Sequence, residues 1–238
     1  MMADKVSLII FCILIFIFGS FAKPKDPQCK FPPQWQSTVF LDFGMFMSGV
    51  SGHAYGSGTF YYDYPNRRMR IDIKGVEENP DKQNFTVSFM WHFNEGATYY
   101  IDYDGKFCER SYQIDAVWNQ WEGIPLASYP TYFGGIGGFK KIVGQFVLDI
   151  KDDPPTDNGI RVVMDVQVGD WCPPLRVMFQ DLHDDPYEGV MYQYEFMDHT
   201  NLKNPDVFKA PSNCTNTTSM NEETRKFLPF QHLDFVMD

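Results

Sequence analysis

The side chains that could do chemistry are five cysteines, five histidines and 31 carboxylates among 238 residues. Cys12 lies inside an apolar N-terminal run, which leaves Cys29, Cys108, Cys172 and Cys214. None of these four forms a close pair of the C-x-x-C kind, the spacing that zinc sites use. An even set in an oxidising compartment predicts two disulfides, for which three pairings exist. His53, His92, His183, His199 and His232 are scattered, with no H-E-x-x-H and no i, i+4 pair. They read as surface or hydrogen-bonded side chains, not metal ligands. No G-x-S-x-G nucleophile elbow occurs, and Gly49-Val50-Ser51-Gly52 and Gly56-Ser57-Gly58 read as flexible glycine loops. Gly134-Gly135-Ile136-Gly137-Gly138 lacks the third spaced glycine and the following helix of a dinucleotide loop, and reads as a bend where two backbones approach. No catalytic constellation is recognisable, and an enzyme is not expected.

Carboxylates concentrate in two loops. Asp152, Asp153 and Asp157 occupy one, and Asp181, Asp184 and Asp185 the other, each between strand-like segments. Hard oxygens on a flexible loop suit calcium, although neither loop has the EF-hand spacing and acidic loops are commonly just solvated. With a formal charge of −11 and no basic cluster outside Arg67-Arg68-Met69-Arg70, the chain is no nucleic-acid binder.

The compartment follows from the first residues. Lys5, the apolar run Val6 to Phe18 and then Ser20-Phe21-Ala22 form a signal peptide with small residues at the two positions that signal peptidase reads. An uncleaved anchor is the alternative, but the run is shorter than the ~20 residues a membrane span needs. Cleavage after Ala22 sends the chain to the extracellular space, with the lysosomal lumen as the other destination. Sequons at Asn84, Asn213 and Asn216 agree with secretion. Asn213 adjoins Cys214, so a disulfide formed early would block its glycosylation.

The elements that must position these groups are strands. Phe85, Val87, Phe89, Trp91 and Phe93 alternate with Thr86, Ser88, Met90 and His92, the period-two signature of a strand with one buried face. The same alternation sets Met69, Ile71 and Ile73 against Arg68, Arg70 and Asp72, and recurs at Ile142–Ile150, Ile160–Val168 and Val190–Phe196. Asn94-Glu95-Gly96, Asp104-Gly105 and Pro65-Asn66 supply hairpin turns. Ten or so antiparallel strands in one domain predict a two-sheet sandwich or a strongly bent sheet closing on itself. One or two helical turns fit Asp115 to Trp121. Beyond the domain of residues 23–214, the tail 215–238 reads as a short helix from Met220 to about Leu228 or as disordered chain.

Five motifs occur in order: Cys29-Lys-Phe-Pro32-Pro33-Gln34-Trp35, Tyr62-Asp63-x-x-Asn66-x-Arg68-Met69-Arg70, Ile136-Gly137-Gly138, Trp171-Cys172-Pro173, and Pro205-Asp206-Val207-Phe208-x-x-Pro211-Ser212-x-Cys214. Together they resemble the ependymin-related family from Cys29 to Cys214. The resemblance implies pairing of Cys29 with Cys172 and Cys108 with Cys214. It also implies calcium binding, a homodimer, and a fold similar to bacterial lipoprotein carriers, in which a bent antiparallel sheet encloses an apolar pocket. Two further cysteines common in vertebrate relatives are both missing here, as expected if they pair with each other. Aromatic residues make up 17% of the chain. On the carrier reading, Met69, Ile71, Phe85, Val87, Phe89 and Trp91 line a pocket for a fatty acid or lipid. The rival reading is a calcium-dependent matrix or adhesion protein whose interior is filled core.

Overall fold

A computed structural model describes residues 29–47, 50–78, 82–112, 122–124, 128–135, 142–151, 159–181 and 188–217. The expected signal peptide, the segment Asp115–Trp121, the Ile136-Gly137-Gly138 motif and the expected tail helix lie outside these residues.

Fourteen strands follow in chain order: β1 (Cys29–Lys30), β2 (Gln34–Met47), β3 (Val50–Asp63), β4 (Arg68–Glu77), β5 (Gln83–His92), β6 (Ala97–Asp102), β7 (Phe107–Tyr112), β8 (Gly123–Ile124), β9 (Tyr129–Gly135), β10 (Ile142–Lys151), β11 (Gly159–Gln167), β12 (Pro174–Asp181), β13 (Glu188–Thr200) and β14 (Thr215–Thr217). Twelve build one sheet in the order β14-β7-β6-β5-β4-β3-β2-β13-β12-β11-β10-β9, while β1 and β8 form a separate two-stranded ribbon. All pairs are antiparallel except β14 with β7. The sheet is thus two meanders, β2 to β7 and β9 to β13, joined along β2 and β13. It is open, with β14 and β9 as its edges among the described residues, and strongly curved.

The curvature follows from burial. One face of the sheet supplies a continuous core from Tyr100 on β6 through Phe89, Ile71, Phe60, Val39 and Tyr194 to Phe146 on β10. Only the short β1–β8 ribbon lies over that face among the described residues, so the sheet removes it from water by curling on itself. The anticipated faces hold: Met69, Ile71 and Ile73 are buried, as are Val162, Met164 and Val166, and Tyr192, Tyr194 and Phe196.

The glycine stretches are corrected. Gly52, Gly56 and Gly58 belong to the 14-residue strand β3 and not to loops. Gly58 faces Ile73 across the ladder, and a Cβ there would sit 1.6 Å from the Asp72 carbonyl oxygen. A Cβ on Gly75 would meet the Tyr55 carbonyl at 2.3 Å. Side chains are absent here because β3 and β4 bend together too tightly to admit them. The expected turns appear where their residues predicted, and Gly96 takes the left-handed φ of 59°.

The outer face of β4 to β7 departs from the expectation of solvent. Ser88 and Met90 are completely buried and His92 is 9% exposed. The cause is a strap from Leu202 to Cys214 that crosses them. Asn204 caps its 3-10 turn Pro205–Phe208 by accepting from the Asp206 amide at 2.9 Å. Phe208, 1% exposed, packs on Met90, Ala97 and Tyr99. Arg68 stacks over its ring at 4.5 Å, His92 Nε2 donates to its carbonyl at 2.9 Å, and Arg70 donates to the Val207 carbonyl. The strap then runs into β14, so the sheet continues past residue 214, where the domain was expected to end.

Candidate functional site

The concave face is built from alternate positions of nine strands. Trp35, Val39, Leu41 and Phe43 of β2 face inward, and their partners across the ladder on β3 and β13 do the same. Of the six residues expected to line a pocket, Met69, Ile71, Val87, Phe89 and Trp91 are 8% exposed or less and Phe85 is half-buried; all six join the one core cluster. Phe89 lies between Trp91 and Tyr100, with ring centroids at 6.2 and 5.1 Å.

The two ends of this face differ. Where β2 begins and β13 finishes, the ribbon closes over it: Phe31 and Ile124 are buried in the core, and Phe31 meets Tyr62 edge-on at 6.2 Å. At the far end Met45, Phe85, Leu148, Ile160 and Val190 from five different strands are only partly buried, as Tyr64, Phe93 and Val168 are at the ribbon end. Phe85 leans over Gly75, whose missing side chain makes room for its ring.

The chemistry available on this face is limited. Burial pushes the phenols of Tyr62 and Tyr194 well above their ordinary range, so both are neutral donors at any physiological pH. His199 of β13 joins them at the ribbon end, its ring packed against Trp35 and Phe196 with centroids at 5.1 and 6.5 Å, and Ser37 of β2 is buried opposite Phe60. The face can receive apolar groups and offers tyrosine hydroxyls, the Trp35 indole and the His199 ring as polar groups.

Ionisable groups sit on the outer face instead. Asp63 has a fully buried side chain, yet it accepts hydrogen bonds from Arg68, from Asn66 Nδ2 at 2.9 Å and from Gln34 Nε2 at 2.9 Å. Burial alone would raise its pKa, but these donors outweigh burial and hold the carboxyl below its ordinary value. The motif Tyr62-Asp63-x-x-Asn66-x-Arg68 is therefore a lock for the β3–β4 hairpin. Arg70, Asp72, Ser88 and Tyr103 form a second polar cluster beneath the strap. His53 bridges Asp42, at 2.9 Å, and Glu78, at 3.4 Å, and the Asp42 hydrogen bond raises its pKa in spite of partial burial. Its two ring nitrogens face different carboxylates, so the three groups do not converge on one point. Among the described residues no group of three or more His, Cys, Asp or Glu is placed to hold a metal ion.

Cys29 pairs with Cys172 and Cys108 with Cys214, at Cα separations of 5.8 and 4.5 Å, the pairing that the motif resemblance implies. Asn84, Asn213 and Asn216 are all exposed, on β5, in the turn before Cys214 and on β14. Asp152, Asp153, Asp157, Asp184 and Asp185 lie outside the described residues, and Asp181 closes β12. The strand ends that flank the two acidic segments in sequence, Lys151 and Gly159 and then Asp181 and Glu188, lie at the far end of the sheet. Alternation along β5 does not reveal the strap; the local signal for it is Asn204-Pro205-Asp206, a cap followed by proline.

These features define a disulfide-bonded all-β protein with one open, curved sheet and an apolar concave face. Among the described residues no helix is long and apolar enough to cross a membrane. No protein-family model and no curated protein matches the chain. Among solved structures, it is similar to a β-barrel-like protein of a domain of unknown function from Brucella abortus, at 10% identity over 73% of this chain and 100% of that one, with a TM-score of 0.21. That superposition is too loose to transfer structural detail.

Proposed function

We propose that this chain is a secreted glycoprotein of the ependymin-related type that holds a fatty acid or lipid against the concave face of its sheet. The observation that supports this best is the character of that face. Nine strands contribute apolar side chains to it, the ion pairs of Asp63, Asp72 and Asp149 lie on the outer face, and apolar residues at both ends of the concave face remain only partly buried. Receptors for apolar ligands combine such hydrophobic walls with a few polar groups. The motif residues support the family reading by having structural work: Asp63, Asn66 and Arg68 lock a hairpin, Pro205 to Phe208 form the strap, and Trp35 packs among Phe60, Tyr62 and Phe196. Two disulfides fit an oxidising compartment.

The test uses glycosylated protein secreted from cultured cells, delipidated and titrated with a fluorescent fatty acid. Saturable binding at about one ligand per chain, displaced by unlabelled fatty acid or lysolipid, is the expected result. Absence of saturable uptake of any fatty acid or lysolipid would replace the carrier reading with calcium-dependent adhesion.

A further inference from the structure

The β1–β8 ribbon is poorly supported for an element that covers a core. Its ladder has two residue pairs, Cys29 with Ile124 and Lys30 with Gly123, and it makes no ladder with the twelve-stranded sheet. Two-stranded ribbons of this size are not stable alone. Its polar ties include the Phe31 amide to the Glu122 carbonyl, the Cys172 amide to the Lys30 carbonyl, both at 2.8 Å, and an ion pair of Lys30 with Glu122. That pair is 42% and 38% exposed, a setting in which ion pairs contribute little. The peptide link Phe31-Pro32-Pro33 leads from β1 into β2, and the Cys29–Cys172 crosslink fastens the other end of β1 to the chain just before β12. Underneath lie Trp35 and Tyr62, the inward residues at that end of the concave face.

We propose that the β1–β8 ribbon is a plug over the Trp35–Tyr62 end of the concave face and that the Cys29–Cys172 disulfide is its latch, so that reduction by a dithiol opens that end while the sheet stays folded. The claim that opening changes ligand exchange rests on the carrier reading; the latch itself does not. Cys29 is half-buried and Cys172 fully buried, so the reductant thiolate attacks the Cys29 sulfur. The Cys29–Cys172 bond breaks as the new Cys29–reductant bond forms, and Cys172 leaves and takes a proton. The second thiol of the reductant then displaces Cys29, which also leaves as a thiol. Two electrons and two protons enter the protein, and the dithiol becomes a cyclic disulfide. Freed of its latch, the ribbon belongs to the low-stability end of the structure and opens locally.

The experiment compares secreted wild-type protein, a Cys29→Ser, Cys172→Ser variant and a Cys108→Ser, Cys214→Ser variant by amide hydrogen exchange, together with the release rate of a fluorescent fatty acid. In the first variant the amides of Lys30, Phe31 and Ile124 should exchange at least about tenfold faster than in wild type, with β2 to β5 still protected. Probe release should accelerate with them. Wild-type protein treated with dithiothreitol until only Cys29–Cys172 is reduced should behave the same way, which covers a variant that is not secreted. Ribbon amides that exchange no faster, or that speed up equally when Cys108–Cys214 is removed, would overturn the latch. Faster ribbon exchange with unchanged probe release would overturn the gating. If wild type binds no probe, the carrier reading fails by itself and the exchange data still decide the latch.

Discussion

Replacing Arg68 by Met tests whether the buried Asp63 carboxylate depends on its guanidinium. Asp63 is wholly removed from water, whereas Arg68 is 25% exposed. The substitution removes two charge-assisted contacts, from Nε and Nη2, and leaves three amide contacts from Asn66 and Gln34. Stripping one partner from a buried pair costs ~3 to 5 kcal/mol, because the remaining charge keeps its desolvation penalty. The partial exposure of Arg68 and the surviving amides place this case at the lower end, about 3 kcal/mol, with the stacking on Phe208 included. Against a total of ~5 to 15 kcal/mol that is a large share. At ~2 to 4 °C per kcal/mol for a domain of this size, the thermal midpoint should fall by about 6 to 12 °C. Denaturant titration and thermal circular dichroism with disulfides intact would measure it. Arg68→Lys should lose less, since the charge survives without the fork. A loss below about 1 kcal/mol for Arg68→Met would mean that Asp63 is neutral or hydrated in the folded protein, and the lock argument would be wrong.

Because the donors around Asp63 depress its folded pKa below the ordinary 3.8, its contribution is fully present above that value and is lost as pH falls through the folded pKa. Asp63→Asn should therefore flatten the acid limb of a stability profile below about pH 4, and an unchanged limb would assign acid sensitivity elsewhere. His53 has the opposite sign: its folded pKa is raised, so its contribution is present below the ordinary 6.5 and fades as pH rises through the folded pKa. Asp42→Asn should lower the His53 midpoint in an NMR titration, and no change would remove that hydrogen bond from the account. Phe208→Ala should cost ~3 to 5 kcal/mol by emptying the strap's contact with Met90 and Tyr99, and a small loss by denaturant titration would show the strap to be dispensable. Gly58→Ala forces β3 away from the Asp72 carbonyl and should reduce secretion yield and cost more than about 2 kcal/mol; wild-type yield and stability would contradict the tight bend.

The period of the apolar residues carried most of the fold into view. Strands such as β5 and β11 announce their inner faces because a one-residue slip would expose every one of them. What alternation does not encode is whether the outer face meets water or another piece of chain. Thr86, Ser88, Met90 and His92 read as a solvent face, yet Met90 and His92 meet Phe208, more than a hundred residues later, and Ser88 is enclosed by Arg70, Asp72 and Tyr103. Glycine was misread for a related reason. Gly56 and Gly58 carry turn-like composition, but their role is set by the backbone of β4 alongside, a contact that no local window contains. The pocket-lining set lies together on the concave face because it was chosen by period. The same period cannot tell a wall from a filled core.

The strand order has a consequence for how the chain reaches this structure. Within each meander every strand pairs with its sequence neighbour, so β2 to β7 and β9 to β13 can each zip up from hairpins at little loop-closure cost. The join between β2 and β13 is different, since its paired residues stand between 141 and 164 positions apart. Closing it requires each meander to present the free edge of a long terminal strand to the other. Until that happens, β2 and β13 are the two most adhesive edges in the molecule, each more than a dozen residues long and studded with aromatic side chains. The Cys29–Cys172 crosslink spans the same two halves and shortens the search if it forms first. The seam, and not any hairpin, then sets the folding rate and marks where two nascent chains would exchange strands at high concentration.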